Sequence, residues 1–275
     1  MSPEMKKMIP RWIVFGIIAL AVTIPLVVGG STKFPATPIV EGVYDEIEKL
    51  PEGAPILISS DFDPGSEAEL LPMMNAILAH CWRKKLRVVV MSLCSANSMP
   101  LAEEIVKEAA AEHGAEYGRD YALMKFLPGG TAPILTLGQS WSAVLPKDYY
   151  ETPIADLPAM KGITKLTDFP YMVCVASVAT PELWILAGNA KYGLKMGAGC
   201  TAVSATDYYP YVSTRQLTGL IGGLAGAAQY EALVKRPGEA SSKMPTQSVV
   251  HVTLVLLIVA GNIIHFLRKR KGSAA

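Results

Sequence analysis

Two uncharged apolar runs, one near each end, constrain this chain more than anything else in it. Residues 12–30 read WIVFGIIALAVTIPLVVGG, and residues 248–267 read SVVHVTLVLLIVAGNIIHFL. A helix rises about 1.5 Å per residue, so either run reaches across most or all of a hydrocarbon core of about 30 Å. The rival reading of the first run is a cleaved signal peptide, whose apolar region would be unusually long and which no A-x-A cleavage site follows. Lys6, Lys7 and Arg11 precede it and Lys33 alone follows; Lys235, Arg236 and Lys243 precede the second run, and Arg268, Lys269, Arg270 and Lys271 follow it directly. Cytoplasmic flanks carry the excess of positive charge. Both tails are therefore expected in the cytoplasm, at the inner membrane, with the middle of the chain outside it. His251, Asn262 and His265 lie toward the ends of the second run, where interfacial water or a neighbouring helix satisfies them.

The chain of 275 residues is 51% hydrophobic with a formal net charge of +1. Nucleic-acid binding needs a concentrated basic surface, so that class is excluded. The expected partners are the lipid bilayer, further copies of the chain, or other membrane proteins.

Between the runs, apolar β-branched segments alternate with helical patterns. The expected strands cover residues 55–60, 87–93, 121–127, 171–178 and 200–205. A capping box at Ser66 and Glu69 opens the first helix. Helices follow over 100–113 and 180–193, and a last one over 212–234. Residues 128–170 carry six prolines and one short helix near 134–144. Continuous apolar strands alternating with helices predict an α/β fold: a single three-layer domain with a mainly parallel sheet of about five strands, flanked by one transmembrane helix at each end. The boundaries are a tail over 1–11, a transmembrane helix over 12–30, a linker with a leading helix over 31–54, the domain over 55–235, a flexible linker over 236–247, the second transmembrane helix over 248–267 and a basic tail over 268–275.

Gly219, Gly222, Gly223 and Gly226 fall at helical spacing in the expected last helix and line one face. Glycine costs a helix about 1 kcal/mol each, so the stripe implies close approach of another backbone. That backbone is expected in the same domain; a twin subunit is the alternative, and a third membrane span, possible by length, would put the two basic flanks on opposite sides, against the positive-inside rule. Tyr208, Tyr209 and Tyr211 follow the fifth strand and suit a contact surface. The four cysteines, Cys81, Cys94, Cys174 and Cys200, form no C-x-x-C pair, and two sit inside apolar strands, which points to free thiols.

In open parallel sheets, ligands bind beyond the carboxyl ends of the strands. This places Asp61, Asp63, Ser92, Ser95, Asn97, Ser177, Thr206 and Asp207 on one rim. Two carboxylates one residue apart on a loop share a hard cation such as Mg²⁺. The pattern resembles the haloacid-dehalogenase superfamily of phosphotransferases, in which a strand ends in D-x-D-x-T. The resemblance implies Asp61 as nucleophile, Asp63 as acid/base, Ser92 as phosphate ligand, Lys125 as the lysine and Asp207 as a metal ligand. It covers short fragments; Gly65 stands where that family has threonine or valine, and the following helix leaves no room for its flap. Mg²⁺ enters only with this resemblance, and no other cofactor is expected. No G-x-S-x-G, G-x-G-x-x-G or zinc spacing occurs. The expectation is a non-enzymatic, membrane-anchored scaffold or accessory subunit, with a tethered hydrolase and a ligand-binding or sensor domain as alternatives.

Overall fold

The computed structural model describes residues 3–29 and 34–272, with side chains over 11–29 and 34–266. Gly30 and the basic flanks Lys6, Lys7, Lys33, Arg268, Lys269, Arg270 and Lys271 lie outside those side chains. Contacts divide the chain into two units, Lys33–Ala240 and the two end segments Met1–Thr32 and Ser241–Ala275.

The end unit contains α1 (Pro3–Val28) and most of a long last helix, Glu239–Gly272. Each has a stretch long and apolar enough to cross a membrane, within Arg11–Val28 and Glu239–Phe266, with mean hydropathies of 2.3 and 2.2; Ala240, Ser241 and Met244, at the start of the second, are buried. Residues 239–247, expected to be a flexible linker, are helical.

The other unit begins with α2 (Pro38–Glu48), β1 (Pro55–Asp61), α3 (Glu67–Arg83), β2 (Arg87–Ser92), α4 (Ser98–His113) and β3 (Tyr121–Phe126). The proline-rich crossover holds α5 (Thr131–Leu137) and α6 (Trp141–Val144). Then come β4 (Tyr171–Ala176), α7 (Thr180–Trp184), a π-helical turn Ile185–Asn189, α8 (Ala190–Tyr192), β5 (Met196–Cys200), α9 (Ala205–Ser213), β6 (Leu220–Gly222), α10 (Gly223–Leu233) and α11, the Glu239–Gly272 helix. All six strands are parallel, in the order β3-β2-β1-β4-β5-β6. The order reverses between β1 and β4, which makes that pair the switch point. Helices α2, α3, α4 and α10 pack against one another. On the opposite face, Ile134, Leu137, Trp141, Trp184 and Tyr208 bury against Leu57, Val89, Met91, Met172 and Cys174.

Parallel strands buried on both faces need continuous apolar runs, and four of the five expected strands form where those runs are. The fifth is displaced. It occupies Met196–Cys200 rather than 200–205, because glycine is required there: a Cβ on Gly197 would meet the Tyr171 hydroxyl at 2.4 Å, and one on Gly199 would meet Met73 Sδ at 2.2 Å. Ser66 precedes α3 without capping it; its hydroxyl donates instead to Asp63 O and Oδ1, both at 3.1 Å.

The expected last helix is two helices with β6 between them, and the glycine stripe is not a helix face. Gly219 precedes β6, Gly222 ends it, and Gly223 opens α10 at φ +58°. Their close approaches lie within the domain. A Cβ on Gly219 would sit 2.4 Å from Ile39 O, one on Gly42 2.1 Å from Thr218 O, and one on Gly226 3.1 Å from the Ile221 carbonyl carbon. Gly42 and Gly219 thus seat α2 on β6 backbone to backbone. Gly42→Ala is expected to cost at least about 2 kcal/mol, since overpacking against rigid backbone has no side chain to displace. A melting temperature within a degree of the parent would contradict that contact.

Tyr208, Tyr209 and Tyr211 lie on α9 rather than on a loop; Tyr208 is buried and Tyr209 exposed. Cys81, Cys174 and Cys200 are buried as free thiols, and Cys94 is half-buried.

A buried imidazole ties the helical layer together. His80 Nε2 lies 2.8 Å from Glu48 Oε2 on α2, and Nδ1 lies 2.8 Å from the Tyr230 hydroxyl on α10. Tyr44 stacks on the ring with centroids 4.6 Å apart. Glu48 accepts only, so Nε2 carries the proton and Tyr230 donates to Nδ1.

Candidate functional site

Asp61 ends β1 at the switch point, and it is fully buried. Side chains alternate along a strand, so Ser59 and Asp61 share the face of Leu57. Asp61 Oδ1 accepts from Ser92 Oγ at 3.0 Å, Leu93 N at 2.6 Å and Cys94 N at 2.9 Å. Oδ2 accepts from Ser59 Oγ at 2.5 Å and from the Cys174 thiol at 3.7 Å. Ser59 in turn accepts from Trp184 Nε1 at 3.0 Å. The π-helical turn begins at the residue after Trp184, at the point where this side chain enters the network. Burial pushes the Asp61 carboxyl above its ordinary value, against the opposing pull of the Ser59, Leu93, Ser92 and Cys94 donors. Burial and the adjoining Asp61 hold the Cys174 thiol far up, and burial pushes Cys200 up to about 12, so both stay protonated and unreactive.

Asp61 is therefore an anchor for the β2–α4 loop. Its oxygens are occupied by five donors, and no face is open to a substrate or an ion. Asp63 points away to the surface and bonds Ser66. Lys125, two strands away on β3, pairs with Glu151. Asp207 is exposed in the first turn of α9. Among the described residues no group of three or more His, Cys, Asp or Glu is placed to hold a metal. The phosphotransferase arrangement implied by the resemblance does not assemble, because the buried Asp61 carboxylate is taken up by five donors while Asp63 and Asp207 lie exposed and Lys125 pairs with Glu151.

Of the other expected rim residues, Ser92 belongs to the Asp61 network and Ser177 joins it through its amide, which donates to Asp61 O at 3.1 Å. Ser95 bonds Ser98 at 3.2 Å, Asn97 precedes α4 without capping it, and Thr206 reaches only Val203 O at 3.5 Å. Sequence reasoning missed Ser59, Trp184 and Cys174, which look like ordinary core positions. It also missed a second anchor: Glu69 Oε2 accepts from Ala202 N at 2.8 Å and holds the β5–α9 loop to α3. Apolar Val178 and Val203, 44% and 84% exposed, stand on the loops after the paired strands β4 and β5.

The rim these anchors hold is acidic. Asp63 precedes α3, Glu67 and Glu69 lie in its first turn, and Glu182 and Asp207 lie in the first turns of α7 and α9. No lysine or arginine occurs in residues 62–82, 93–106, 177–190, 201–214 or 222–234. Carboxylates complement the positive end of a helix dipole. Those helix starts are thereby neutralised and closed to phosphate, which a helix N-terminus otherwise attracts.

No protein-family model and no curated protein matches the chain. Among solved structures, the chain is similar to the C-terminal domain of a glycosyl transferase group 1 family protein (LpcC) from Francisella tularensis, at 12% identity and a TM-score of 0.36, over 80% of this chain and 94% of that one. The scaffold expected from the sequence is corrected on the packing: the glycine stripe, one of the features that motivated it, makes its close approaches inside the domain. Identity and TM-score are too low for that protein's activity to be carried to this chain.

Proposed function

We propose that the chain is a membrane-tethered α/β domain that binds an uncharged or cationic small molecule on the rim at its β1–β4 switch point. The observation that carries this is the rim itself. Its loops are fastened by buried or half-buried carboxylates, it bears acids and no cations, and Val178 and Val203 add apolar surface beside them. A surface of one sign concentrates ligands of the other and repels its own, so nucleoside phosphates are poor occupants. The two apolar helices support the tether, and the flanking charge contrast supports both tails in the cytoplasm with the domain outside. Protease added to intact spheroplasts then cleaves the domain; full protection reverses that orientation.

The ligand reading is tested by thermal unfolding of the full chain in nanodiscs against a panel of amines, polyols, sugars and nucleoside phosphates. A ligand present at 100 times its Kd stabilises by about 2.7 kcal/mol. Cationic or uncharged compounds are expected to raise the melting temperature, and nucleoside phosphates to leave it unchanged. Stabilisation by nucleoside phosphates alone would overturn the reading.

A further inference from the structure

The opposite edge of the sheet has the opposite charge. The turn from α3 into β2 reads WRKKLR over residues 82–87, and a second basic pair, Lys235-Arg236, follows α10 about 150 residues later. Folding brings the two together: Arg83 Nη1 donates to Val234 O at 3.4 Å. A cavity of about 390 Å³ opens between them, lined by Ala79, Trp82, Arg83, His113, Val234 and Arg236. A second cavity of about 240 Å³ adjoins it through Trp82 and His113 and adds Lys85 and Arg119. The indole N–H of Trp82 is buried without a hydrogen-bond partner.

Carboxylates answer part of this charge. Arg83 and Lys85 each lie 2.8 Å from a carboxylate, Glu48 and Glu52; Arg119 lies 2.8 Å from both Glu116 and Asp120, Lys84 lies 3.8 Å from Glu48, and Arg236 pairs with Glu112. Exposed pairs of this kind hold weakly, so a stronger anion can displace them. Arg87 is answered by no carboxylate in its bonds; its guanidinium donates to the carbonyls of Gly53, Ala159 and Lys161, each at 2.8 Å. Arg236 also stands only twelve residues before Ser248, where the uncharged run begins.

We propose that this edge docks on the anionic headgroups of the membrane, with a lipid phosphate in the cavity between Trp82, Arg83 and Arg236. The proposal rests on the membrane reading above. It gives the charge asymmetry of the domain a purpose: the basic edge meets the bilayer and the acidic rim turns away from it, open to ligand. Juxtamembrane lysines and arginines are attracted to anionic lipid over about a Debye length, so the docking is sensitive to salt.

The test is hydrogen exchange on the full chain in nanodiscs of phosphatidylcholine alone or with about 30% phosphatidylglycerol. Amides over 82–87 and 234–236 are expected to exchange about tenfold slower in the anionic discs. High salt, or the paired substitution of the exposed lysines Lys85→Glu and Lys235→Glu, should remove the difference while β1 and β4 stay protected. Equal exchange in both compositions overturns the proposal. Equal slowing by millimolar inorganic phosphate in neutral discs also overturns it, because the cavity then takes a free anion. A chain that fails to float with vesicles overturns the membrane reading itself, a failure visible before any exchange is measured.

Discussion

Asp61→Ala is expected to lower the stability of the α/β domain by about 3–5 kcal/mol, the range for removing one partner from a buried charged network. The substitution strips acceptors from the amides of Leu93 and Cys94 and from the hydroxyls of Ser59 and Ser92. Each buried donor left unpaired costs about 1–3 kcal/mol, and solvent cannot reach this part of the sheet. Asp61→Asn retains one carbonyl for the three donors at Oδ1 but turns an amide toward Ser59 and Cys174, both donors now. Its loss should be smaller, about 2 kcal/mol. Urea unfolding of detergent-solubilised protein reads both, and hydrogen exchange over residues 93–97 reports whether the β2–α4 loop has come loose. If Asp61→Ala unfolds within about 1 kcal/mol of the parent, near the small effect of an ordinary surface change, the anchoring role is wrong.

Acid weakens the fold through His80. Burial lowers its pKa from the ordinary 6.5 to about 4, outweighing the opposing hydrogen bond to Glu48. The unfolded chain therefore takes up a proton below pH 6.5 that the folded protein refuses until about pH 4. Stability from this residue is fully present above pH 6.5 and falls as the pH drops through that window, by roughly 3 kcal/mol in all. Glu48, whose carboxyl is held below its usual value chiefly by the His80 hydrogen bond, acts in the same direction. Asp61 acts in the opposite one, because a raised carboxyl favours the folded state at low pH. Comparison with His80→Gln separates them: glutamine still donates to Glu48 and accepts from Tyr230, but does not titrate. The difference in unfolding free energy between parent and variant should change steadily from pH 6.5 to 4 and stay flat above. A constant difference across that range would mean the imidazole is not the group responsible.

The local sequence decides what local physics suffices to decide. Runs such as LIS in β1, VVV in β2 and VCV in β4 are apolar, mostly β-branched and short, so they become buried parallel strands wherever the chain folds. The uncharged end runs become long helices for the same kind of reason, since an uninterrupted apolar segment of that length has few alternatives. Tertiary context decides the remainder. Strand β6 is three residues long and β5 is half glycine or alanine, so neither carries a strand signal of its own. Gly197, Gly199 and Gly219 are required by Tyr171, Met73 and α2, neighbours at least 24 residues away in the chain. The same distance problem governs the sites. D-F-D reads as a paired-carboxylate motif, but Asp61 is buried at the last position of β1, held by donors from Ser59, Ser92, Leu93 and Cys94, while Asp63 lies beyond the strand at the surface, so the two do not face one ligand. The acidic rim and the basic edge were each present in the sequence as scattered charges. Only the parallel order of the strands, which sends the starts of α3, α7, α9 and α10 to one end and the ends of α3 and α10 to the other, sorts them into two poles.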